Sequence, residues 1–146
     1  SDSRRDHRSR RGRVTRDDAT AQAVRYWLAK ARECLASAED EARSCRLSFA
    51  VNRCYYAAFY AASAALLARG KRFVKHSGVR AAVHRDLVKP GLLPEDLGRI
   101  YDRLFHDRQQ GDYIEFVSFD AEDVGDTSGE SRHLVCAVET LTASTG

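Results

Sequence analysis

The chain has 146 residues, a length that fits one domain and buries about two-thirds of the surface that the unfolded chain exposes. Alanine and leucine dominate its apolar residues and only two prolines interrupt it, a composition that favours closely packed helices. No stretch approaches the roughly 18 consecutive apolar residues of a membrane helix, and no apolar segment follows the arginine-rich N-terminus. We therefore expect neither a membrane protein nor a signal peptide.

The formal net charge of +3 is divided unevenly along the chain. Residues 1–16 carry seven arginines and two aspartates, a net charge of +5, whereas the remaining residues sum to −2. A basic arm of this kind binds nucleic acid by releasing counterions, but a solvated tail or tag remnant has the same composition. The sequence predicts a basic, flexible arm over residues 1–16 and a helical domain over residues 17–146.

The four cysteines, Cys34, Cys45, Cys54 and Cys136, are far apart and form no CxxC pair. Three of them fall where the helical pattern requires an apolar residue, and free cysteine behaves as a small buried hydrophobe. A zinc site needs closely spaced ligands, which are missing. We therefore expect core cysteines, no metal or other cofactor, and a reducing cytoplasmic location.

Helical periodicity predicts the first two elements. The first helix is expected to begin near residue 17 or 18, where acidic side chains suit its positive end, and its apolar stripe extends to Cys45. The second spans about Leu47 to Arg69 and ends at Gly70, a residue that readily adopts the left-handed closing conformation. Its broad apolar face, which includes Phe49, predicts a central position in the fold.

Three further helices follow. Ser77 is expected to cap a short third helix that ends near Val88, and Pro94 suits the first turn of a fourth. Residues 113–119 alternate like a strand, but a lone strand has no partner, so we interpret them as an extended connector. Asp120 resembles the cap of a fifth helix. The chain is thus predicted to be an all-α, up-and-down bundle of about five helices.

Three polar clusters interrupt the apolar pattern. The second helix reads Asn-Arg-Cys-Tyr-Tyr-Ala-Ala over residues 52–58. The turn before the third helix reads Lys-His-Ser-Gly-Val over residues 75–79, and the fourth helix is followed by Arg-Gln-Gln-Gly-Asp-Tyr over residues 108–113. Each cluster alone is a weak signal, whereas their order and spacing within one helical chain are fairly specific.

Together these clusters resemble the HEPN superfamily of nucleotide-binding helical domains, and most of all its small stand-alone branch. The resemblance extends from about Trp27 to Leu141. It implies a helical bundle that usually dimerises, and many members are ribonuclease toxins that pair with a small nucleotidyltransferase-type antitoxin. On this basis we expect a homodimer, RNA or a nucleotide as ligand, and an antitoxin of that type as a candidate partner.

The toxin signature of that superfamily is an arginine followed after four to six residues by a histidine. After Arg108 the corresponding positions hold Tyr113, Ile114 and Glu115. RNA cleavage by its own 2′-hydroxyl needs a base, an acid and a cation, and histidine serves best because its pKa lies near neutrality. Arg108 is the candidate cation. His76 is a candidate for supplying the missing imidazole from another segment or another subunit.

The candidate catalytic residues are Arg108, Asp112, Tyr113 and His76, and the candidate nucleotide- or RNA-binding residues are Asn52, Arg53, Tyr56 and Lys75. Structural roles are available to the same side chains. An arginine and a carboxylate four residues apart can form an intrahelical pair, tyrosines can be core aromatics, and a histidine can cap a turn.

Two functions therefore remain open. One is a metal-independent ribonuclease of a toxin–antitoxin or defence module, with an arginine-centred site at a dimer cleft. The other is a non-catalytic module that binds a nucleotide, RNA or a nucleotidyltransferase partner. The missing histidine favours the second function, whereas the many ribonuclease toxins in the superfamily that this chain resembles favour the first.

Overall fold

The structure, a computed structural model, describes residues 15–113 and 119–144, and of residues 110–113 it describes only the backbone. Five α-helices account for most of these residues: α1 Arg16–Arg43, α2 Leu47–Ala68, α3 His76–Ala82, α4 Glu95–Tyr113 and α5 Ala121–Ser144. The chain of α3 continues into a π-helical segment, Val83–Val88. Strands are absent from the described ranges. The predicted all-α bundle is confirmed.

Helix α2 lies at the centre of the bundle, as its broad apolar face predicts. It packs against each of the other four helices and against the π-helical segment. Seven of its alanines, listed by position as 50, 57, 58, 61, 62, 64 and 65, are at most 2% exposed. Because alanine ends at Cβ, neighbouring helices approach α2 closely. Among the larger side chains of α2, Tyr55 and Leu66 are fully buried.

Hydrogen bonds between small polar groups join α2 to α5. The hydroxyl of Ser131, fully buried, donates to the carbonyl oxygen of Cys54 at 2.7 Å. The Cys54 thiol lies 3.4 Å from the hydroxyl of Ser128. All four cysteines are free, but only Cys54 is fully buried, whereas Cys45 and Cys136 are exposed. The expectation of core cysteines is therefore wrong for these two.

The ends of α1 and α2 explain why Cys45 leaves the apolar stripe. Gly70 closes α2 with φ of +78°, and the amide of Lys71 donates to the carbonyl of Leu66 at 2.9 Å. The same arrangement closes α1, where Cys45 has φ of +59° and the amide of Arg46 donates to the carbonyl of Glu41 at 2.8 Å. Such closures satisfy the last carbonyls of a helix. The residue at the left-handed position points away from the helical stripe.

Two other local expectations are wrong. Phe49 is 59% exposed, because Ala50 and Val51 take the buried face of α2 at its first turn and one residue turns the helix by about 100°. Ser77 does not cap α3: Lys75 holds the cap position with extended backbone, and its side chain makes no capping bond. Helix α1 begins at Arg16, one residue before the expected range, and is capped by the hydroxyl of Thr15.

Helices α4 and α5 follow the sequence pattern. The stripe of α4 is at most 8% exposed throughout: Leu97, Ile100, Tyr101, Leu104 and Phe105. Asp120 caps α5, because its carboxylate accepts hydrogen bonds from the amides of Glu122 and Asp123 at 2.7 and 3.2 Å. The predicted connector over residues 113–119 lies mostly outside the described residues, and Tyr113 is the last residue of α4. None of the described helices is both long and apolar enough to cross a bilayer.

Candidate functional site

Arg108 lies near the C-terminal end of α4 and turns its guanidinium toward α2. Its Cζ atom is 5.2 Å from the centre of the Tyr55 ring and 5.3 Å from the centre of the Tyr56 ring. A cation over two aromatic faces is attracted by both rings, and the contact is stronger where water is partly excluded. Arg108 is half-buried. The two rings therefore hold the guanidinium in one place at the surface.

His76, the first residue of α3, contacts the same pair of rings, with its ring centre 5.7 Å from that of Tyr55 and 5.8 Å from that of Tyr56. Its Nδ1 atom lies 2.6 Å from the hydroxyl oxygen of Tyr55, a hydrogen bond in which either group can be the donor. The imidazole stacks on Phe59, with 4.3 Å between ring centres and 24° between planes. Because the connection after α2 places α3 beside Tyr55, a histidine and an arginine 32 positions apart in sequence share one tyrosine.

The electrostatics of the cluster favour a neutral imidazole. Partial burial lowers the pKa of His76 below its usual value of 6.5, and the positive charge of Arg108 lowers it further. Burial raises the pKa of Tyr55 to about 12, despite the opposing influence of Arg108. Near neutral pH the site therefore contains a fixed cation, an unprotonated imidazole and a protonated phenol.

Tyr55 is held by a buried aromatic layer. It is fully buried, and its ring lies 6.3 Å from Tyr101 and 5.9 Å from Phe105, both on α4. Tyr101 is also fully buried, and burial raises the pKa of its hydroxyl well above 10. Side chains packed in this way occupy single rotamers. The hydroxyl that contacts His76 is thus fixed by the core of the protein.

Two cavities border the cluster. The polar cavity, about 300 Å³, lies between the start of α2 and the end of α4 and is lined by Ser48, Asn52, Arg53, Asp107 and Arg108 among others. Burial raises the pKa of Asp107 there. The aromatic cleft, about 420 Å³, lies between α1, α2 and the connection to α3, and Tyr56 and His76 belong to its walls. The cluster therefore lies where a polar and an aromatic surface meet.

A second group of titratable side chains lies between α3 and α4. One carboxylate oxygen of Asp102 accepts a hydrogen bond at 2.9 Å from Nε of Arg80 and contacts Nε2 of His84 at 2.9 Å. Although partial burial raises the pKa of Asp102, the bonds with His84 and Arg80 lower it overall. The Arg80 guanidinium also lies 4.8 Å from the centre of the Phe105 ring. This group joins α3 to α4 behind the aromatic layer.

The sequence profile of the HEPN domain matches residues 24–141, which is most of the chain. The protein belongs to the HEPN family. This confirms the resemblance seen in the three polar clusters, and the matched residues extend from α1 to α5.

Relatives of this HEPN protein occur in bacteria and archaea. A UPF0332 protein of Thermotoga maritima is 47% identical over 118 residues, which cover 81% of this chain and 89% of that protein. A Methanocaldococcus jannaschii protein named "Putative toxin MJ0142" is 30% identical over 96 residues, covering 66% of this chain and 65% of that protein. The crystal structure of TT1696 from Thermus thermophilus superposes on this protein with a TM-score of 0.69 and a sequence identity of 22%. The superposition covers 81% of this chain and 97% of the TT1696 chain, so the two proteins share the fold.

The HEPN fold brings some of the candidate residues together and separates others. Arg108, His76 and Tyr56 meet at Tyr55, and Asn52 and Arg53 line the polar cavity beside Arg108. Lys75 is exposed at the cap of α3 and lines neither of the two cavities. Asp112 and Tyr113 belong to the backbone of α4, and their side chains lie outside the described residues.

Sequence reasoning gave no site role to the residues that support the site, although it allowed Tyr55 to be a core aromatic. Tyr55, Phe59, Tyr101 and Phe105 form the layer under Arg108 and His76. The signal was present in the spacing, because each helix carries two aromatic residues four positions apart, which places them on one face. That spacing does not reveal which rings of α2 and α4 pack together. Across residues 15–109 and 119–144, no group of three potential ligands is arranged to hold a metal ion.

Proposed function

We propose that this HEPN protein is a metal-independent endoribonuclease of a toxin–antitoxin or defence module. The observation that supports this proposal is the meeting of Arg108 and His76 on one tyrosine, Tyr55. RNA cleavage by its 2′-hydroxyl needs a cation for phosphate, a base and an acid, and Arg108 and His76 are candidates for the cation and the base. The relative named as a toxin agrees with the biological setting of the proposal.

Arg108 binds the scissile phosphate in this proposal. Its planar guanidinium donates charge-assisted hydrogen bonds, which are stronger than bonds between neutral groups and fit phosphate oxygens in pairs. The tyrosine rings leave little freedom for the guanidinium, so that less conformational entropy is lost when phosphate binds. As the 2′-oxygen attacks phosphorus, the negative charge on the phosphorane grows, and Arg108 stabilises that charge.

His76 takes the proton from the attacking 2′-hydroxyl. When Nδ1–H donates to the Tyr55 oxygen, the lone pair is on Nε2, as a general base requires. The lowered pKa of His76 keeps the imidazole neutral at neutral pH, so that it can accept a proton. The bond between phosphorus and the 5′-oxygen then breaks, and the leaving oxygen takes its proton from water. The products are an RNA fragment ending in a 2′,3′-cyclic phosphate and a fragment with a 5′-hydroxyl. Neither step requires a metal ion.

The direct experiment is an assay of purified protein on total RNA in the presence of EDTA. Wild-type protein should produce fragments ending in cyclic phosphate, and Arg108→Ala should abolish them. A matched substitution, Arg99→Ala, removes an exposed arginine from α4 outside the cluster and should leave cleavage unchanged. Cleavage by wild type that EDTA stops, or cleavage that survives in Arg108→Ala, would contradict the proposal.

A second function, a non-catalytic binding module, is favoured by one specific observation. The positions that follow Arg108 after four to six residues hold Tyr113, Ile114 and Glu115, so Arg108 has no histidine at the spacing of the toxin signature. In this alternative Arg108, Asn52 and Arg53 bind a nucleotide or RNA phosphate in the polar cavity without cleaving it. Binding of RNA that requires Arg108, together with no cleavage by wild type in any buffer, would select the alternative.

Both functions include partners. We propose a two-fold symmetric homodimer and a nucleotidyltransferase-type antitoxin, as in the family at large. Exposed side chains at Phe49 and Val74, which are 59% and 90% exposed, offer apolar surface for such contacts. Co-expression with the protein encoded by the neighbouring gene should yield a stable complex, and RNA cleavage should fall when that complex forms.

A further inference from the structure

The aromatic cleft has a wall of stacked rings. Trp27 of α1 and Tyr60 of α2 lie parallel, with 5.3 Å between ring centres and 21° between planes. Tyr56 follows at 5.9 Å from Tyr60. Phe73, on the connection to α3, also lines the cleft. These four rings are half-buried, so each has a face or an edge in contact with the open volume of about 420 Å³.

The rim of the aromatic cleft is cationic. Lys71 and Arg72 line it beside the neutral imidazole of His76, and neither aspartate nor glutamate occurs among its lining residues. The charge of Lys71 is balanced by Asp86 at 2.7 Å, which also pairs with Arg85, so this corner remains net positive. The cleft volume of about 420 Å³ lies within the range of small-molecule sites, which begins at about 300 Å³. Flat apolar walls under a positive rim suit a planar group attached to an anion.

The cleft adjoins the cluster around Arg108. Tyr56 is shared, because its ring lies 5.3 Å from the Arg108 guanidinium and also forms part of the cleft wall. His76 is shared as well, since it lines the cleft and bonds to Tyr55. A phosphate at Arg108 therefore lies next to a surface on which an attached base can stack.

We propose that the aromatic cleft is the base-binding subsite of this protein for single-stranded RNA, with a nucleobase stacked against Trp27 and Tyr60 while the neighbouring phosphate contacts Arg108. The inference rests on the proposed function in one respect, that Arg108 binds an RNA phosphate. It adds the nature of the substrate: the bases must be unpaired, because a base inside a duplex has no free face for an aromatic ring. Double-stranded RNA is then a poor ligand.

Trp27 is the single tryptophan of the chain, so its fluorescence reports on the cleft directly. The probe is a short oligoadenylate carrying 2′-O-methyl groups, which removes the attacking hydroxyl and prevents cleavage. Saturable quenching of Trp27 is expected with this probe, and none with inorganic polyphosphate, which carries the charge without bases. Equal responses to both probes, or binding of the oligoadenylate without quenching, would overturn the base-binding subsite.

Two matched variants localise the effect. Tyr60→Leu removes a ring of the wall and should weaken oligoadenylate binding by about fivefold or more, the loss typical of one stacked base. Tyr26→Leu removes an exposed tyrosine whose ring centre lies 5.3 Å from that of Trp27 but which does not line the cleft. This variant should bind the oligoadenylate as tightly as wild type does. Equal affinities of the two variants would overturn the inference. If Tyr60→Leu does not fold, the comparison of the two probes on wild type decides alone.

Failure of this inference differs from failure of the proposed function. If RNA binding and cleavage require Arg108 but Trp27 does not respond to the oligoadenylate, the arginine site stands and the base lies elsewhere. If Trp27 responds to protein concentration instead of to RNA, the cleft is covered by a second copy of the chain, and the subsite is refuted. If Arg108→Ala binds and cleaves RNA as wild type does, the proposed function itself is refuted.

Discussion

Replacing Arg108 by alanine tests the centre of the site. The substitution removes two contacts with tyrosine rings, at 5.2 and 5.3 Å, in a half-buried position. Cation–π contacts contribute about 0.5–2 kcal/mol depending on burial, so we expect the free energy of unfolding to fall by about 1–2 kcal/mol. For a domain of this length the corresponding decrease in Tm is about 3–8 °C.

The loss of function should be larger than the loss of stability implies. A charge-assisted hydrogen bond to phosphate is worth about 1.5–3 kcal/mol, which corresponds to about a 10- to 150-fold decrease in RNA cleavage or phosphate binding. A domain with about 5–15 kcal/mol of stability remains folded after a loss of about 1–2 kcal/mol. Reduced activity at 25 °C would therefore come from the missing guanidinium and not from unfolded protein.

Two further variants make the Arg108 experiment decisive. Arg108→Lys keeps the charge but loses the planar, paired donors, so it should recover only part of the activity. Arg99→Ala, on the exposed side of α4, should change cleavage by less than about twofold and Tm by less than about 2 °C. The reasoning is refuted if Arg108→Ala and Arg99→Ala lower cleavage equally, or if Arg108→Ala unfolds at 25 °C, because Arg108 would then be a scaffold residue.

Four other predictions follow from the same contacts. Because the pKa of His76 is lowered in the folded protein, the unfolded chain binds more protons near pH 6, and the free energy of unfolding and the rate of RNA cleavage should both fall as pH drops below about 6.5. His76→Gln should make both quantities less dependent on pH, as measured by denaturant unfolding and by cleavage assays at a series of pH values. An unchanged pH dependence in this variant would contradict the role of His76. Gly98→Ala should destabilise the fold by about 1–3 kcal/mol, because the added Cβ would lie 3.1 Å from side-chain atoms of His84 and Val88. Gly129→Ala should stabilise α5 by up to about 1 kcal/mol, because no atom lies within 4 Å of the added Cβ and alanine favours a helix over glycine. Thermal melts that give the opposite order of stability would refute the packing argument. Deleting residues 1–14, which leaves the cap of α1 in place, should weaken RNA binding and reduce its dependence on salt concentration without changing Tm. If the deletion variant and wild type show the same salt dependence, the arm does not contact RNA. Light scattering should give about twice the chain mass of 16.4 kDa, and a monomer at micromolar concentration would exclude a shared dimer cleft.

Sequence reasoning succeeded wherever a local pattern decides the structure. The stripe from Leu97 to Phe105 repeats at helical spacing and is buried, because only one face of a helix can contact a core. Gly70 ends α2, because glycine adopts positive φ without strain. The same reasoning failed at Cys45, which takes positive φ without being glycine, and at Ser77, where contacts of His76 with Tyr55 and Phe59 hold the preceding residue at the start of α3.

The candidate site was only partly predictable. The sequence indicates Arg108, His76 and Tyr56 in three separate segments, but nothing in their order shows that they meet at Tyr55. Lys75 belongs to the same Lys-His-Ser-Gly-Val motif as His76, and the structure leaves it exposed, outside the two cavities. Neighbours in sequence need not be neighbours at a site, because successive residues at the start of a helix point in directions about 100° apart.

The sequence by itself determined the helices, the central place of α2 and the HEPN family, since these depend on periodicity, on alanine content and on motifs that are read along the chain. Only the tertiary structure decided which side chains meet. Arg108 and His76 come from different helices, and they come together because Tyr55 packs between α3 and α4, where Tyr101 and Phe105 hold its ring. Contacts of this kind depend on how helices pack against one another, and the spacing of residues within a single helix does not specify that arrangement.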